Sequence, residues 1–342
     1  MNARYLCYLP LLLLLTTCGN PAPAEAPPAE PEVTATEPGV RLIPITTPAG
    51  EFNVYTRRVG QNPDVKVLFL HGGPGASSEY YEIADAYFPQ ANIEYYYYDQ
   101  LGSARSDQPD DPSLWTIDRF VDEVEQVRQA LDLDAENFYI IGHSWGGILG
   151  VEYALKHPDK LNGLVISNMM MDIEAYNRYA DDVLGPALPA DTLAKIRKYE
   201  DAGDYQNADY LNTIYGNYYP RHVLRGPMEG WPEPVMRAFG GLNNDIYLQI
   251  QGPSEFGIRG DASLVGWSRM EDLDELEIPV LVVSGKDDTM DPAHAAEVAE
   301  LLPNGSHLAT GGTHFAMWDD RDTYWPGILR WIEATEEAGM SR

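Results

Sequence analysis

The chain has 342 residues, 44% of them hydrophobic, with 53 acidic against 23 basic side chains and a formal net charge of -30. That is enough for one large domain with an insertion, or for two domains. The charge excludes nucleic acid and an anionic membrane surface as partners, since both would repel it, and it fits an acidic, well-solvated surface such as a saline habitat favours.

The first 17 residues read as a targeting segment. Arg4 supplies the positive charge and Leu9 to Leu15, broken by Pro10, a short apolar core that cannot span a bilayer as a permanent helix. Leu15-Thr16-Thr17-Cys18 resembles the bacterial lipoprotein signal, which implies lipidation at Cys18, although Thr17 departs from the usual Gly, Ala or Ser. The other cysteine, Cys7, lies inside the signal, so the exported body has neither a disulfide nor thiol chemistry. Residues 18–40 are rich in Pro, Ala and Glu and predict an extended spacer. The expected location is outside the cytoplasm, lipid-anchored and facing the periplasm. Gly19, rather than Asp, after the lipidated residue points to the outer membrane by resemblance to sorting patterns.

The body begins near Val40. Phe52 to Thr56 predicts an early strand, and Val65 to Leu70 a buried strand that runs straight into His71-Gly72-Gly73-Pro74-Gly75. Such a Gly-rich loop can bring backbone N–H groups close to a substrate. Ile93 to Tyr98 is the next strand; its four tyrosines suit a pleat and fit core or interface alike. Thr116 to Leu131 has the stripe of an amphipathic helix. Strands follow at 138–142 and 164–167, with a helix from Ile148 to His157 between them. Residues 170–265 lack long apolar β runs and predict an inserted helical cap, with Ala190 to Asp201 as one of its helices. The alternation resumes with strand 280–284, a helix from Ala293 to Leu302, a strand near 306–309 and a last helix from Tyr324 to Glu336. Strands alternating with helices give an α/β protein with a mostly parallel sheet covered on both faces. Its core is split into residues 41–169 and 266–342.

Between strand 138–142 and its helix lies Gly142-His143-Ser144-Trp145-Gly146, a G-x-S-x-G frame. Strand, tight turn and helix make a nucleophile elbow, and side chains at Gly142 and Gly146 would clash with the neighbouring backbone. Ser144 needs a base. Of seven histidines, His157 and His294 belong on solvated helix positions, His71 and His143 in turn motifs, His222 in the cap and His307 in the last strand. His314 follows that strand in a Gly-Gly-Thr-His loop, where a base belongs in such a fold. The base needs a carboxylate partner, and Asp287, Asp288 and Asp291 all lie just past strand 280–284 in the right chain order; composition does not choose among them. There is no metal-ligand spacing such as H-E-x-x-H, and no metal or cofactor is expected.

Taken together, His71-Gly72-Gly73-Pro74-Gly75, Asp99-Gln100, the Ser144 elbow, Gly252-Pro253-Ser254-Glu255-Phe256, Gly285 with Asp288, and Gly312-Thr313-His314 resemble the proline iminopeptidase family of α/β-hydrolases, over about residues 50–330. The resemblance implies that Asp288 is the acid, three residues after the Gly that ends its strand, and that Glu255 binds the substrate's free α-amino group. It implies a serine aminopeptidase in which Ser144, His314 and Asp288 act together and the backbone N–H groups of Gly73 and Trp145 hold the oxyanion. Two departures bear on substrate choice. Related tricorn-interacting aminopeptidases carry a second Glu where this chain has Thr289, and Leu101 and Ala104 replace a common Arg and Gly. The alternatives are an esterase or lactonase on the same three residues, or a non-catalytic peptide-binding lipoprotein. Epoxide hydrolases and dehalogenases of this fold use Asp where Ser144 stands.

Overall fold

The computed structural model describes residues 38–340. The signal, Cys18 and the spacer up to residue 37, with the expectations placed on them, lie outside the described residues. From the turn at residues 38 and 39 onward the chain packs as a single unit.

Eight strands build one sheet: β1 (Val40–Thr47), β2 (Gly50–Val59), β3 (Lys66–Leu70), β4 (Glu94–Asp99), β5 (Phe138–His143), β6 (Gly163–Ser167), β7 (Val280–Gly285) and β8 (Gly305–Thr310). Their spatial order is β1-β2-β4-β3-β5-β6-β7-β8, with β1, β2 and β4 paired antiparallel and every other neighbour parallel. This is the expected mostly parallel sheet. The sequence reading missed β1. Pro44 sits inside it, and Pro in a strand is tolerated only at an edge, which is where β1 lies.

The central strands β3 to β7 are buried on both faces and divide their side chains by the period of two. Val67 and Phe69 of β3, Tyr139 and Ile141 of β5, and Leu281 and Val283 of β7 join one apolar layer; Leu68, Leu70, Phe138, Ile140, Val280 and Val282 join the other. The tyrosine run of β4 does the same: Tyr95 and Tyr97 go one way, Tyr96 and Tyr98 the other, so all four are core.

Two helices flank the elbow, α1 (Ile117–Ala130), capped by the Thr116 hydroxyl, and α2 (Trp145–Lys156), which starts on the residue after Ser144. Although β6 and β7 are neighbours, 112 residues separate them in the chain (168 to 279), and every helix or strand named in that stretch is helical. The helices there are α3 (Ile173–Tyr179), α4 (Ala190–Asp201), α5 (Ala208–Asn217), α6 (Tyr219–His222), α7 (Glu233–Gly240) and α8 (Asn244–Ile250). The chain closes with α9 (Pro292–Leu301), α10 (Ala316–Asp319) and α11 (Arg321–Met340). α1, α2 and α9 cover one face of the sheet, and α11 with much of the insertion covers the other. Among the described residues no helix is long and apolar enough to cross a membrane.

Candidate active site

The loops that follow β3, β5 and β8 line a cavity of about 320 Å3. Parallel strands put their C-terminal loops at one edge, which is where open α/β sheets bind ligands. Ser144 lies between β5 and α2 with φ 55°, a left-handed backbone that a non-Gly residue adopts only under constraint. The constraint is visible at its neighbours. A Cβ on Gly142 would sit 2.1 Å from the Gly146 carbonyl oxygen, and one on Gly146 would sit 2.0 Å from that of Leu70. Only glycine lets the elbow close against β3. The Trp145 N–H opens α2, so it has no acceptor within the helix and points with the positive end of the helix dipole.

The 71–75 loop lies beside Ser144: a Cβ on Gly72 would stand 3.4 Å from Ser144 Oγ. The Gly72 N–H donates to the Tyr80 hydroxyl at 2.7 Å, which leaves the Gly73 N–H as the loop's candidate oxyanion donor. Gly73 lines the cavity at φ 108°. Two buried histidines lock this loop. His71 Nδ1 donates to the Gly72 carbonyl at 2.9 Å, and its Nε2 accepts the Gln100 N–H at 3.0 Å; the Gln100 side chain in turn accepts from Trp145 Nε1 at 2.9 Å. His143 Nε2 faces the His314 carbonyl at 2.8 Å, so that nitrogen carries the proton and Nδ1 accepts from Tyr80 at 3.1 Å. Burial, with the charge of His314 beside it, holds the His143 pKa well below the usual value, so this ring stays neutral.

His314 is buried, with Nδ1 2.9 Å from Asp288 Oδ1, and it lines the cavity together with Ser144. Burial alone would lower its pKa; the Asp288 carboxylate, with Glu255 behind it, outweighs this and raises it. Of the three aspartates, Asp288 alone meets His314. Asp287 is turned to Arg225 at 3.1 Å, and Asp291 caps α9 through the Ala293 N–H. Asp288 Oδ1 also accepts the Met290 N–H at 3.1 Å, and Oδ2 accepts the Asn168 amide at 2.7 Å. Thr289, at the position of the expected second acidic anchor, is buried and turns back onto the pair, with its hydroxyl 3.3 Å from Asp288 Oδ1.

Glu255 reaches the same cavity from the insertion. Tyr247 donates to Oε1 at 2.8 Å, while the backbone on either side is held by Tyr219, which accepts the Glu255 N–H, and by Tyr176, which donates to its carbonyl. Among the described residues Oε2 is buried without a hydrogen-bond partner, and His314 is the group whose positive charge acts on the carboxylate. Burial raises its pKa; the nearby His314 and the Tyr247 bond pull the other way. A lone buried carboxylate in an aromatic pocket is built to meet a cation.

Sequence reasoning misplaced two histidines. His294 is buried on α9 and accepts the Met171 N–H at 3.1 Å, and His157 is half-buried against Tyr153, with its Nε2 fully covered. A helical position alone does not tell which face a residue takes. Tyr80, Tyr247 and Asn168 carried no motif and were not anticipated. Among the described residues no group of three or more His, Cys, Asp or Glu gathers as a metal site.

Comparison with known proteins gives the family and the fold. A family model described as alpha/beta hydrolase fold matches residues 66–321. The chain is 47% identical to the proline iminopeptidase of Flavobacterium johnsoniae over 292 residues, covering 85% of this chain and 97% of that one. It is 45% identical to the proline iminopeptidase of Chitinophaga pinensis, covering 88% and 100%. Among solved structures, the proline iminopeptidase of Mycobacterium smegmatis superposes with a TM-score of 0.76 at 26% identity, over 88% of this chain and 99% of that one. The chain belongs to the proline iminopeptidase family of α/β-hydrolases and is a hydrolase of the aminopeptidase type.

Proposed function

We propose that this aminopeptidase releases a small N-terminal residue, such as Pro, from short peptides or amino-acid amides through an acyl-enzyme on Ser144. The observation that carries this reading is the buried Glu255 carboxylate, whose Oε2 has no hydrogen-bond partner among the described residues, in the cavity that also holds Ser144 and His314. A free α-ammonium group seated on Glu255 sets the scissile carbonyl at a fixed distance from the nucleophile. His314 Nε2 takes the Ser144 proton as Oγ attacks the carbonyl carbon. Asp288 holds the resulting imidazolium. The N–H groups of Trp145 and Gly73 receive the oxyanion, an arrangement commonly worth about 3 kcal/mol per donor. His314 then gives its proton to the departing amine, and a water deprotonated by the same ring cleaves the ester. With Thr289 turned onto Asp288, the buried Glu255 is the carboxylate offered to the ammonium beside Ser144 and His314, supported by the tyrosines around it. The cavity's size, near the lower end of the ~300–1,000 Å3 of small-ligand sites, favours short substrates. The Cys18 context supports tethering outside the cytoplasm by lipid, which a Cys18→Ser chain released from the membrane fraction would test.

The experiment compares prolyl- and alanyl-p-nitroanilide, their N-acetylated forms and p-nitrophenyl butyrate, with Ser144→Ala as blank. Turnover of the free-amine anilides far above that of the blocked substrates is expected. Fast butyrate turnover without anilide cleavage would instead place the chain with esterases and leave Glu255 without its role.

A further inference from the structure

The groups assigned to chemistry sit on three separate loops, and one dipeptide at the end of β6 touches all three. The Ser167 carbonyl accepts the Ser144 N–H at 2.9 Å, one ladder bond beyond the end of β5. Asn168 follows with φ 54° and is 1% exposed. Its amide Nδ2 donates to Asp288 Oδ2 at 2.7 Å and to the carbonyl of Thr313, the residue before His314, at 3.3 Å. Both partners are acceptors, so the orientation of the amide is fixed. Its Oδ1 accepts from the Ser167 hydroxyl at 2.8 Å, and that hydroxyl meets Tyr324 at 2.9 Å. The Asn168 N–H is spent on the Val283 carbonyl of β7 at 2.9 Å. Every polar group of this side chain is thus used, in a backbone conformation that few residues other than Asn and Gly adopt readily.

We infer that Asn168 is a positioning residue for the acid. The inference rests on Asp288 and His314 being the acid and base of the proposed function. The two oxygens of Asp288 divide their work: Oδ1 faces His314, and Oδ2 is tied to Asn168. Without the amide, Oδ2 loses its donor in a fully buried setting, and the carboxylate relieves this by rotating, which breaks its alignment with His314 Nδ1. Asn168 touches neither substrate nor the reacting atoms; it acts through Asp288. Its second bond, to Thr313, fixes the base loop from the same point.

The test uses the full chain with Asn168→Ala, Asn168→Gly, Asp288→Ala and the two double variants, assayed on prolyl-p-nitroanilide over the Ser144→Ala blank. Both single Asn168 variants should lose roughly 10- to 100-fold in kcat, the range for a hydrogen bond to a charged group, with KM within about threefold. Asn168→Gly suits the left-handed backbone, so an equal loss there separates the missing amide from strain or misfolding. In the Asp288→Ala background, removing Asn168 should change kcat less than about twofold, because its partner is already gone. An equal fold-loss in both backgrounds would mean a general structural role and would overturn the inference, as would single variants with wild-type kcat. An Asp288→Ala enzyme as fast as wild type would overturn the acid assignment itself, a result distinct from either of these.

Discussion

Replacing Glu255 by Gln probes the least redundant contact in the site. The substitution keeps the volume and can keep the Tyr247 bond to Oε1, which is 2.8 Å long. What it removes is the charge and the free acceptor at Oε2, which has no hydrogen-bond partner among the described residues. A charged hydrogen bond contributes about 1.5–3 kcal/mol, and truncating one partner of a buried charge pair costs about 2–5 kcal/mol. An expected loss of about 2–4 kcal/mol in kcat/KM for a free-amine anilide corresponds to roughly 30- to 1,000-fold at 1.36 kcal/mol per decade. N-acetylated anilides and butyrate esters have no ammonium to seat, so the ratio between the two substrate classes should collapse. The same change should stabilise the fold. Burial raises the Glu255 pKa above its ordinary 4.5, so in the wild type stability falls as pH rises through that raised value. Glu255→Gln should therefore melt higher than wild type at neutral pH and show no such gain well below pH 4.5. The assay is steady-state kinetics on paired free and blocked substrates, with thermal melts at the two pH values. Equal losses on free and blocked substrates would refute the ammonium anchor.

Asp288→Asn removes the charge that holds the His314 pKa up against burial, so the acidic limb of kcat/KM should move to lower pH while kcat falls by about a thousandfold or more. The wild-type fold should also lose the His314 contribution to stability as pH rises through its raised value, above 6.5, and the variant should show a flatter profile there. Tyr247→Phe strips the one side-chain donor from Glu255, and KM for free-amine substrates should rise by about tenfold with butyrate turnover unchanged, read by the same paired assay. Gly146→Ala drives a Cβ to 2.0 Å from the Leu70 carbonyl oxygen, and chemical denaturation should show a loss of at least ~3 kcal/mol, since backbone rather than a flexible side chain must move.

The parts of this molecule that were legible in sequence are those whose cause is local. Strands β3, β5, β6 and β7 announce themselves because burial on both faces makes them short continuous apolar runs. The elbow was legible because its glycines exist to avoid clashes at 2.0 and 2.1 Å. β1 was hidden by Pro44 and by its half-exposed edge position. Tyr80 meets His143 across 63 positions, and Asn168 meets Asp288 across 120, so no spacing rule reaches them. The choice among Asp287, Asp288 and Asp291 was open to composition for a related reason. Each suits a turn, and only the packing of β7 against β8 decides which one faces His314.

The insertion is more than a lid laid over a finished site, because its backbone holds the loops that carry the candidate site. The His314 and Phe315 N–H groups donate to the carbonyls of His222 and Val223 at the end of α6, each at 2.9 Å, so the base loop is held by the insertion. Arg225 adds bonds to Gly311 and Asp287. On the opposite wall Asn243 caps α8, donates its N–H to the Gly75 carbonyl at 2.8 Å and its amide to that of Gly102 at 2.9 Å. The same α8 carries Tyr247, which holds Glu255. One inserted segment therefore fixes the base loop, braces the loop beside the proposed oxyanion site and presents the candidate ammonium anchor. Distances of this kind tie recognition to reactivity mechanically: any shift of the insertion that loosens Glu255 also moves the carbonyls on which the His314 loop hangs. If the proposed roles hold, substrate range is thus not free to drift by changes in the insertion alone, since substitutions that reshape the pocket near residues 222–225 or 243–255 are felt at the His314 loop as well as in the pocket.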